Sequence, residues 1–182
     1  MASSSSLINK KSICIVTGSS QGLGKSIALQ MANVLPKGSL FILIARNTDR
    51  LQEVSDQIKQ CDGMNAVFHM YDQSKADGSA NKKLFEDCLL KAGASQKDFE
   101  QFILINNAAT LEPLEFVRDL DQIGLDKIND YFNINLSGCI TLTSSFLRMF
   151  GSTQARVIVN ISSIAAVMPM KSWLLYCMGL YI

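Results

Sequence analysis

Clustered positive charge is missing from this sequence, and so are long apolar runs and all but one histidine. The 17 Lys and Arg residues nearly balance the 16 Asp and Glu residues, which leaves a net charge of +1. Scattered basic residues argue against a nucleic-acid-binding surface. No apolar run approaches a membrane span, and the polar, serine-rich N-terminus has no signal-peptide core. We therefore expect a cytoplasmic protein with no nucleic-acid or membrane partner.

Residues that could build a metal or hydrolytic centre are also scarce. The single histidine, His69, lies in an apolar run, where packing is its simpler role. The five cysteines are scattered and form no CxxC pair. We expect reduced thiols and no metal site.

Short apolar runs alternate with helical patterns along the chain. The five runs lie at 13–16, 39–45, 65–71, 102–105 and 156–161. Apolar residues at helical spacing lie at 23–35, 47–60, 74–93, 125–150 and 173–182. This alternation predicts an α/β fold with a doubly wound parallel sheet of the Rossmann type, in the strand order 3-2-1-4-5. We expect a disordered tail at 1–10 and one domain at 11–182.

The first apolar run leads directly into a glycine-rich turn. A P-loop would need glycine at position 19, which is Ser19, and the GxGxxG pattern also fails. The spacing of Thr17, Gly18, Gly22 and Gly24 instead fits TGxxxGxG. A strand, a tight turn and a helix N-terminus together form an anion site, because turn amides and the helix dipole face the anion. The alternative is a plain turn without a ligand.

The end of the second run indicates which nucleotide this turn binds. An acidic residue there would hold a ribose 2′-hydroxyl, whereas an arginine suits a 2′-phosphate. The residue is Arg46, so NADP is favoured over NAD. A solvated surface arginine is the alternative, and Gln21 in the turn adds no second positive charge.

Taken together, these and later residues resemble one family. The pattern comprises Thr17-Gly18-xxx-Gly22-x-Gly24, Asp72, Asn106-Asn107-Ala108, Asn135, Ser163 and Tyr176. It is similar to the short-chain dehydrogenase/reductase family over residues 11–179. The segments 104–108, 142–145, 159–163 and 171–177 further resemble the members that reduce a side-chain ketone on a pterin with NADPH.

The resemblance implies a role for each matched position. The cofactor-binding residues would be Gly18, Ser20, Gln21, Gly22, Leu23, Gly24, Arg46, Asp72, Asn107 and Ala108. Ser163 would hold the substrate carbonyl, Tyr176 would donate the proton, and Asn135 would fix a water in the proton relay. Trp173 would contact the flat pterin, or else pack within its helix. The partners implied are a pterin or another small carbonyl substrate and, for a full-length form, a second copy of the chain.

One position departs from the family pattern. The family carries YxxxK, but Leu180 stands four residues after Tyr176. A lysine there shares the face of the tyrosine, favours its ionised form and binds the nicotinamide ribose. We also expect the C-terminal strands of the family to be missing from this chain.

Two functional hypotheses therefore stay open. The first is an NADPH-dependent carbonyl reductase whose activity is doubtful in this form. The second is a non-catalytic product that binds NADP or pairs with full-length subunits. A P-loop nucleotide hydrolase is disfavoured by Ser19 and by the lack of a metal-ligand pattern.

Overall fold

The computed structural model describes residues 8–151, 153–168 and 170–180. Within these residues, five strands form one parallel sheet in the order β3-β2-β1-β4-β5. The strands are β1 Ser12–Thr17, β2 Leu40–Ala45, β3 Asn65–Met70, β4 Gln101–Asn106 and β5 Ala155–Asn160. The predicted strands and their order are confirmed. Most of the predicted tail, at 1–7, and the end of the last predicted helix, at 181–182, lie outside the described residues.

Helices cover both faces of this sheet. They are α1 Gly22–Val34, α2 Thr48–Lys59, α3 Gly78–Ala92, α4 Leu125–Phe132, α5 Gly138–Met149 and α6 Leu174–Leu180. Side-chain caps fix where two of them begin: Asn47 accepts a hydrogen bond from the backbone N–H of Arg50, and Asp77 accepts from Ser79 and Ala80. Such caps satisfy amides that have no partner within the helix.

The central strand shows why the sheet needs cover on both faces. Every residue of β1 is buried. Ile13 and Ile15 face one apolar cluster, which holds residues of α3 and α5, while Cys14 and Val16 face the cluster that holds residues of α1 and α2. Side chains alternate across a strand, so a strand buried on both faces reads as a continuous apolar run.

The long helical pattern at 125–150 folds with an interruption. Between α4 and α5 the chain forms a π-helical turn at Asn133–Ser137. A π turn inserts one extra residue into the helix and rotates the side chains that follow it. The structure thus has helix over almost the whole predicted stretch, with a π-helical turn inside it that was not predicted.

One edge of the sheet is open in the described part of the chain. There β5 pairs with β4 alone, and Ile158 and Val159 are each 38% exposed. Ile140 and Leu147 on α5 are exposed as well.

None of the helices in the described ranges has both the length and the apolar character needed to cross a bilayer.

His69 on β3 gives a prediction for the pH dependence of stability. Burial and the positive charges of Lys91 and Lys83 lower the pKa of His69, although Asp87 opposes them. The folded chain therefore binds this proton less readily than the unfolded chain. Its contribution to stability is present above the unfolded pKa of about 6.5 and is lost as the pH falls below it.

We expect the free energy of unfolding to decrease between about pH 7 and pH 5.5, and His69→Gln to flatten that decrease. Urea titrations of both proteins at matched pH measure this difference. Because the sequence has one histidine, the imidazole proton resonance reports its pKa without ambiguity. A titration midpoint at or above the ordinary histidine value would contradict the prediction.

Candidate functional site

A cavity of about 700 Å³ opens at the carboxyl ends of β1, β2 and β4. In a doubly wound sheet this is where the connections leave towards opposite faces and a crevice forms. All the predicted cofactor-binding residues line it: Gly18, Ser20, Gln21, Gly22, Leu23, Gly24, Arg46, Asp72, Asn107 and Ala108. The fold thus brings four separate segments of the chain to one cavity.

At two of its three glycines, the glycine-rich turn has no room for a side chain. Gly18 has φ +64°, and a Cβ there would lie 2.9 Å from the Cα of Ala108. A Cβ on Gly24 would lie 2.4 Å from the carbonyl oxygen of Gly18. Gly22 has φ +57° with nothing within 4 Å of its Cβ position. Gly18 and Gly24 allow close packing, and both Gly18 and Gly22 adopt a left-handed conformation before or at the start of α1.

The N-terminus of α1 has the features of an anion-binding site. Gln21 occupies the N-cap position without making a side-chain cap, and no acidic residue lies in the first turn. The first amides of the helix therefore keep their hydrogen-bonding capacity and the positive end of the dipole. Such an end, beside close-packed glycines, suits a pyrophosphate.

Thr17 fixes the turn against the end of β4. Its hydroxyl oxygen accepts hydrogen bonds from the backbone N–H groups of Asn107, at 2.9 Å, and Ala108, at 2.8 Å. The Asn107 side-chain amide donates in return to the carbonyl oxygen of Thr17, at 2.9 Å. These bonds hold two walls of the cavity at a fixed separation.

Asp72 lies at the end of β3. Its Oδ1 accepts from the backbone and the hydroxyl of Ser74, and Lys75 lies 3.8 Å from Oδ2. Partial burial favours the neutral acid, but the bonds from Ser74 and the charges of Lys75 and Arg46 outweigh it and hold the pKa of Asp72 below its ordinary value. A carboxylate at this strand end can accept a hydrogen bond from a ligand amino group.

Sequence reasoning missed several residues of the cavity. Its lining also includes Arg50, Tyr71 and Gln73, together with Thr110 and Ile134. Tyr71 and Gln73 flank Asp72, so the strand end was the available signal. The Gln73 amide donates to the carbonyl oxygen of Ile134 at 2.7 Å and to that of Ala108 at 3.3 Å, which ties the π turn to the cavity.

Asn135 lies in the π turn and is held by the loop after β4. Its side-chain oxygen accepts from the backbone N–H of Thr110 and its amide nitrogen donates to the Thr110 carbonyl, each at 2.8 Å. This is the backbone-satisfied arrangement of a partly buried polar residue. The side chain anchors the loop, and its part in a water relay stays a prediction.

Ser163 and Trp173 do not line the cavity, and neither does Tyr176. Ser163 follows β5 and caps a short 3₁₀ helix, where its oxygen accepts from the N–H of Ala165 at 3.2 Å. Accepting that bond leaves the hydroxyl hydrogen free to be donated. The 3₁₀ helix packs against α6, which carries Tyr176, so the fold brings the two elements together.

Trp173 makes two contacts, one through its ring and one through its backbone. Its ring meets that of Tyr176 edge to face, with centroids 5.7 Å apart, and its backbone forms an isolated bridge with Glu115. Both the packing role and a place at a substrate pocket are compatible with this position.

The helix that carries Tyr176 is tightly seated on α4. A Cβ on Gly179 would lie 2.6 Å from the hydroxyl oxygen of Tyr131, a buried residue. Burial raises the pKa of Tyr131, and the nearby side chain of Asn135 opposes that shift. The side chain of Leu180 lies outside the described part of the structure.

Across the described ranges, no group of three His, Cys, Asp or Glu residues could hold a metal ion.

Comparison with known proteins agrees with this geometry. The sequence profile of the family described as short chain dehydrogenase matches residues 12–178. Sepiapterin reductase of Rattus norvegicus is 31% identical over 177 residues, which are 92% of this chain and 63% of the relative. Sepiapterin reductase of Bos taurus is also 31% identical, over 93% of this chain and 62% of the relative. The chain therefore spans less than two thirds of the length of these relatives.

Solved structures share the fold. A short chain dehydrogenase from Shigella flexneri, complexed with NADP, has a TM-score of 0.78 at 20% identity over 96% of this chain and 68% of its own. An NAD⁺-bound xylitol dehydrogenase has the same TM-score at 20% identity, over 96% of this chain and 61% of its own. With the sheet order, the glycine-rich turn and the profile match in agreement, the chain belongs to the short-chain dehydrogenase family.

Proposed function

We propose that this chain binds NADP(H) in the cavity beside the glycine-rich turn and is a carbonyl reductase of the sepiapterin reductase type with slow turnover. One observation carries the proposal: every residue predicted to bind the cofactor, from four separate segments, lines the same cavity. Sequence similarity to sepiapterin reductases over 92% of the chain supports a pterin side-chain ketone as the substrate.

The residues of the cavity fit a dinucleotide with a 2′-phosphate. The glycine-rich turn and the uncapped start of α1 offer amides to a pyrophosphate. Arg46, at the end of β2, offers a guanidinium where NAD-binding sheets have a carboxylate. Asp72, kept ionised, can accept a hydrogen bond from the adenine amino group.

The chemistry requires hydride delivery and a proton. When bound, NADPH supplies the hydride to the carbonyl carbon of the substrate. Ser163, whose hydroxyl oxygen accepts one hydrogen bond and whose O–H can still donate, gives a hydrogen bond to the carbonyl oxygen where negative charge develops. The hydroxyl of Tyr176 gives its proton to that oxygen, which completes the alcohol.

Slow turnover follows from the residue one helical turn after Tyr176. Leu180 occupies the position where the family pattern has lysine. An apolar side chain neither favours proton release from a tyrosine nor binds a ribose hydroxyl. General acid–base assistance is worth about 10²–10⁴ in rate, so its impairment is expected to be severe.

A second function has its own support. Neither Ser163 nor Tyr176 lines the cavity that would hold the cofactor. The chain would then bind NADP without catalysis, alone or paired with catalytic subunits. Binding is common to both functions, and turnover separates them.

We also propose that the face of α5 forms a homodimer contact. Ile140 is 57% exposed and Leu147 41% exposed, and both line a shallow groove with Cys139 and Thr143. Apolar side chains exposed together on one helix are typical of an interface. Sedimentation velocity tests this assembly: a monomer at micromolar concentration would contradict it.

Consumption of NADPH in the presence of sepiapterin, followed by absorbance, tests the main proposal. We expect a rate on the order of 100-fold below that of rat sepiapterin reductase. A rate equal to that enzyme would refute the slow-turnover account. Tight NADPH binding with no turnover at all would favour the non-catalytic function.

A further inference from the structure

The cavity has two guanidinium groups in its lining. Arg46 follows β2 directly, and Arg50 lies in the first turn of α2. Both side chains are exposed. Among the described residues, neither arginine forms a salt bridge with a carboxylate. Two guanidinium groups that form no salt bridge within the described structure therefore border the same cavity.

Two hydrogen bonds hold Arg50 in position. Its Nη1 donates a hydrogen bond to the side-chain oxygen of Gln21, in the glycine-rich turn. Its backbone N–H donates to the side-chain oxygen of Asn47 at 3.0 Å, which holds the first turn of α2. The bond to Gln21 spans 29 residues of sequence and joins two segments that line the cavity.

We infer that Arg50 is a second cation for the 2′-phosphate of NADP(H), and that Gln21 is the residue that positions it. The inference rests on the proposed function. A phosphate monoester carries a charge of about −1.5 to −2 at neutral pH, more than Arg46 alone neutralises. The planar fork of Arg50 offers further donors after one is used by Gln21. NAD has only a hydroxyl at that position, so Arg50 contributes to the choice between the two cofactors.

The test uses the adenosine half of the cofactor. Adenosine 2′,5′-bisphosphate and adenosine 5′-monophosphate are titrated into the full chain by calorimetry. Arg50→Gln is expected to weaken the bisphosphate about tenfold and to change the monophosphate less than about twofold. Arg50→Lys keeps the charge without the fork and is expected to fall between the two. Gln21→Leu is expected to produce a smaller loss, again for the bisphosphate alone.

Lys59→Gln is the matched control, because it removes one charge from the exposed last turn of the same helix. It is expected to leave both affinities unchanged. If the unmodified chain prefers the bisphosphate but Arg50→Gln keeps that preference, the inference is wrong and the proposed function stands. An equal loss for both nucleotides also overturns it. If the unmodified chain binds neither nucleotide, the proposed function fails as well.

Discussion

Gly24→Ala is expected to destabilise the folded chain by about 1–3 kcal/mol and to weaken NADPH binding on the order of 100-fold. The added Cβ would lie 2.4 Å from the carbonyl oxygen of Gly18 and 2.5 Å from the side-chain nitrogen of Asn107. Both of those residues line the cavity. The turn must therefore open, and that movement displaces the amides that are proposed to bind the pyrophosphate. Urea unfolding and calorimetric titration with NADPH measure the two effects.

Gly78→Ala is the matched control for this change. Gly78 is the first residue of α3, and nothing lies within 4 Å of its Cβ position. The same substitution there is expected to change stability by less than about 0.5 kcal/mol and to leave NADPH binding as it was. If Gly24→Ala bound NADPH as tightly as the unmodified chain, the glycine-rich turn would not be the nucleotide site.

Leu180→Lys is expected to raise the rate of sepiapterin reduction on the order of 100-fold. Position 180 lies four residues after Tyr176, and side chains at that spacing share one face of a helix. An ammonium group there favours proton release from the tyrosine hydroxyl and can donate hydrogen bonds to the ribose of the cofactor. Steady-state kinetics with saturating NADPH measure the change, and the gain is expected in kcat.

Met178→Lys controls for charge added to the same helix. Met178 is exposed and lies two residues after Tyr176, so it does not share that face. Met178→Lys is expected to leave the rate of sepiapterin reduction unchanged. If Leu180→Lys bound NADPH normally and still gave no gain, slow turnover would have another cause. Equal gains in both variants would mean that charge, and not position, is responsible.

The sheet was predictable because its signals are local. Each strand is a short apolar run, and Asn47 and Gly93 mark a helix start and a helix end by their own conformational preferences. The cavity residues were predictable for a related reason. In a parallel sheet the carboxyl ends of the strands share one edge, so Gly18, Arg46 and Asp72 had to converge there.

The remaining features depend on contacts between distant segments. The sequence shows Arg50 as an ordinary exposed residue of α2, and only the folded chain places it against Gln21. Apolar residues recur at helical spacing on both sides of the π turn at Asn133–Ser137, so periodicity in the sequence does not reveal it. The pairing of Asn135 with the backbone of Thr110 likewise depends on where the loop after β4 settles.

The side chains proposed to be catalytic show a different limit of prediction from sequence. The sequence pattern assigns Ser163 and Tyr176 to one proposed reaction. In the fold, the 3₁₀ helix that Ser163 caps packs against α6, which carries Tyr176. Neither of them lines the cavity that holds the predicted cofactor residues. A cytoplasmic location stays a prediction as well.

The central claim is that the cavity is an NADP site. Calorimetric titration of the full chain with NADPH, NADH and magnesium ATP, at one ionic strength, tests it most directly. The account predicts binding of NADPH that is at least about tenfold tighter than that of NADH, and no binding of magnesium ATP. Binding of magnesium ATP without binding of NADPH would contradict the account and restore the P-loop interpretation of the glycine-rich turn.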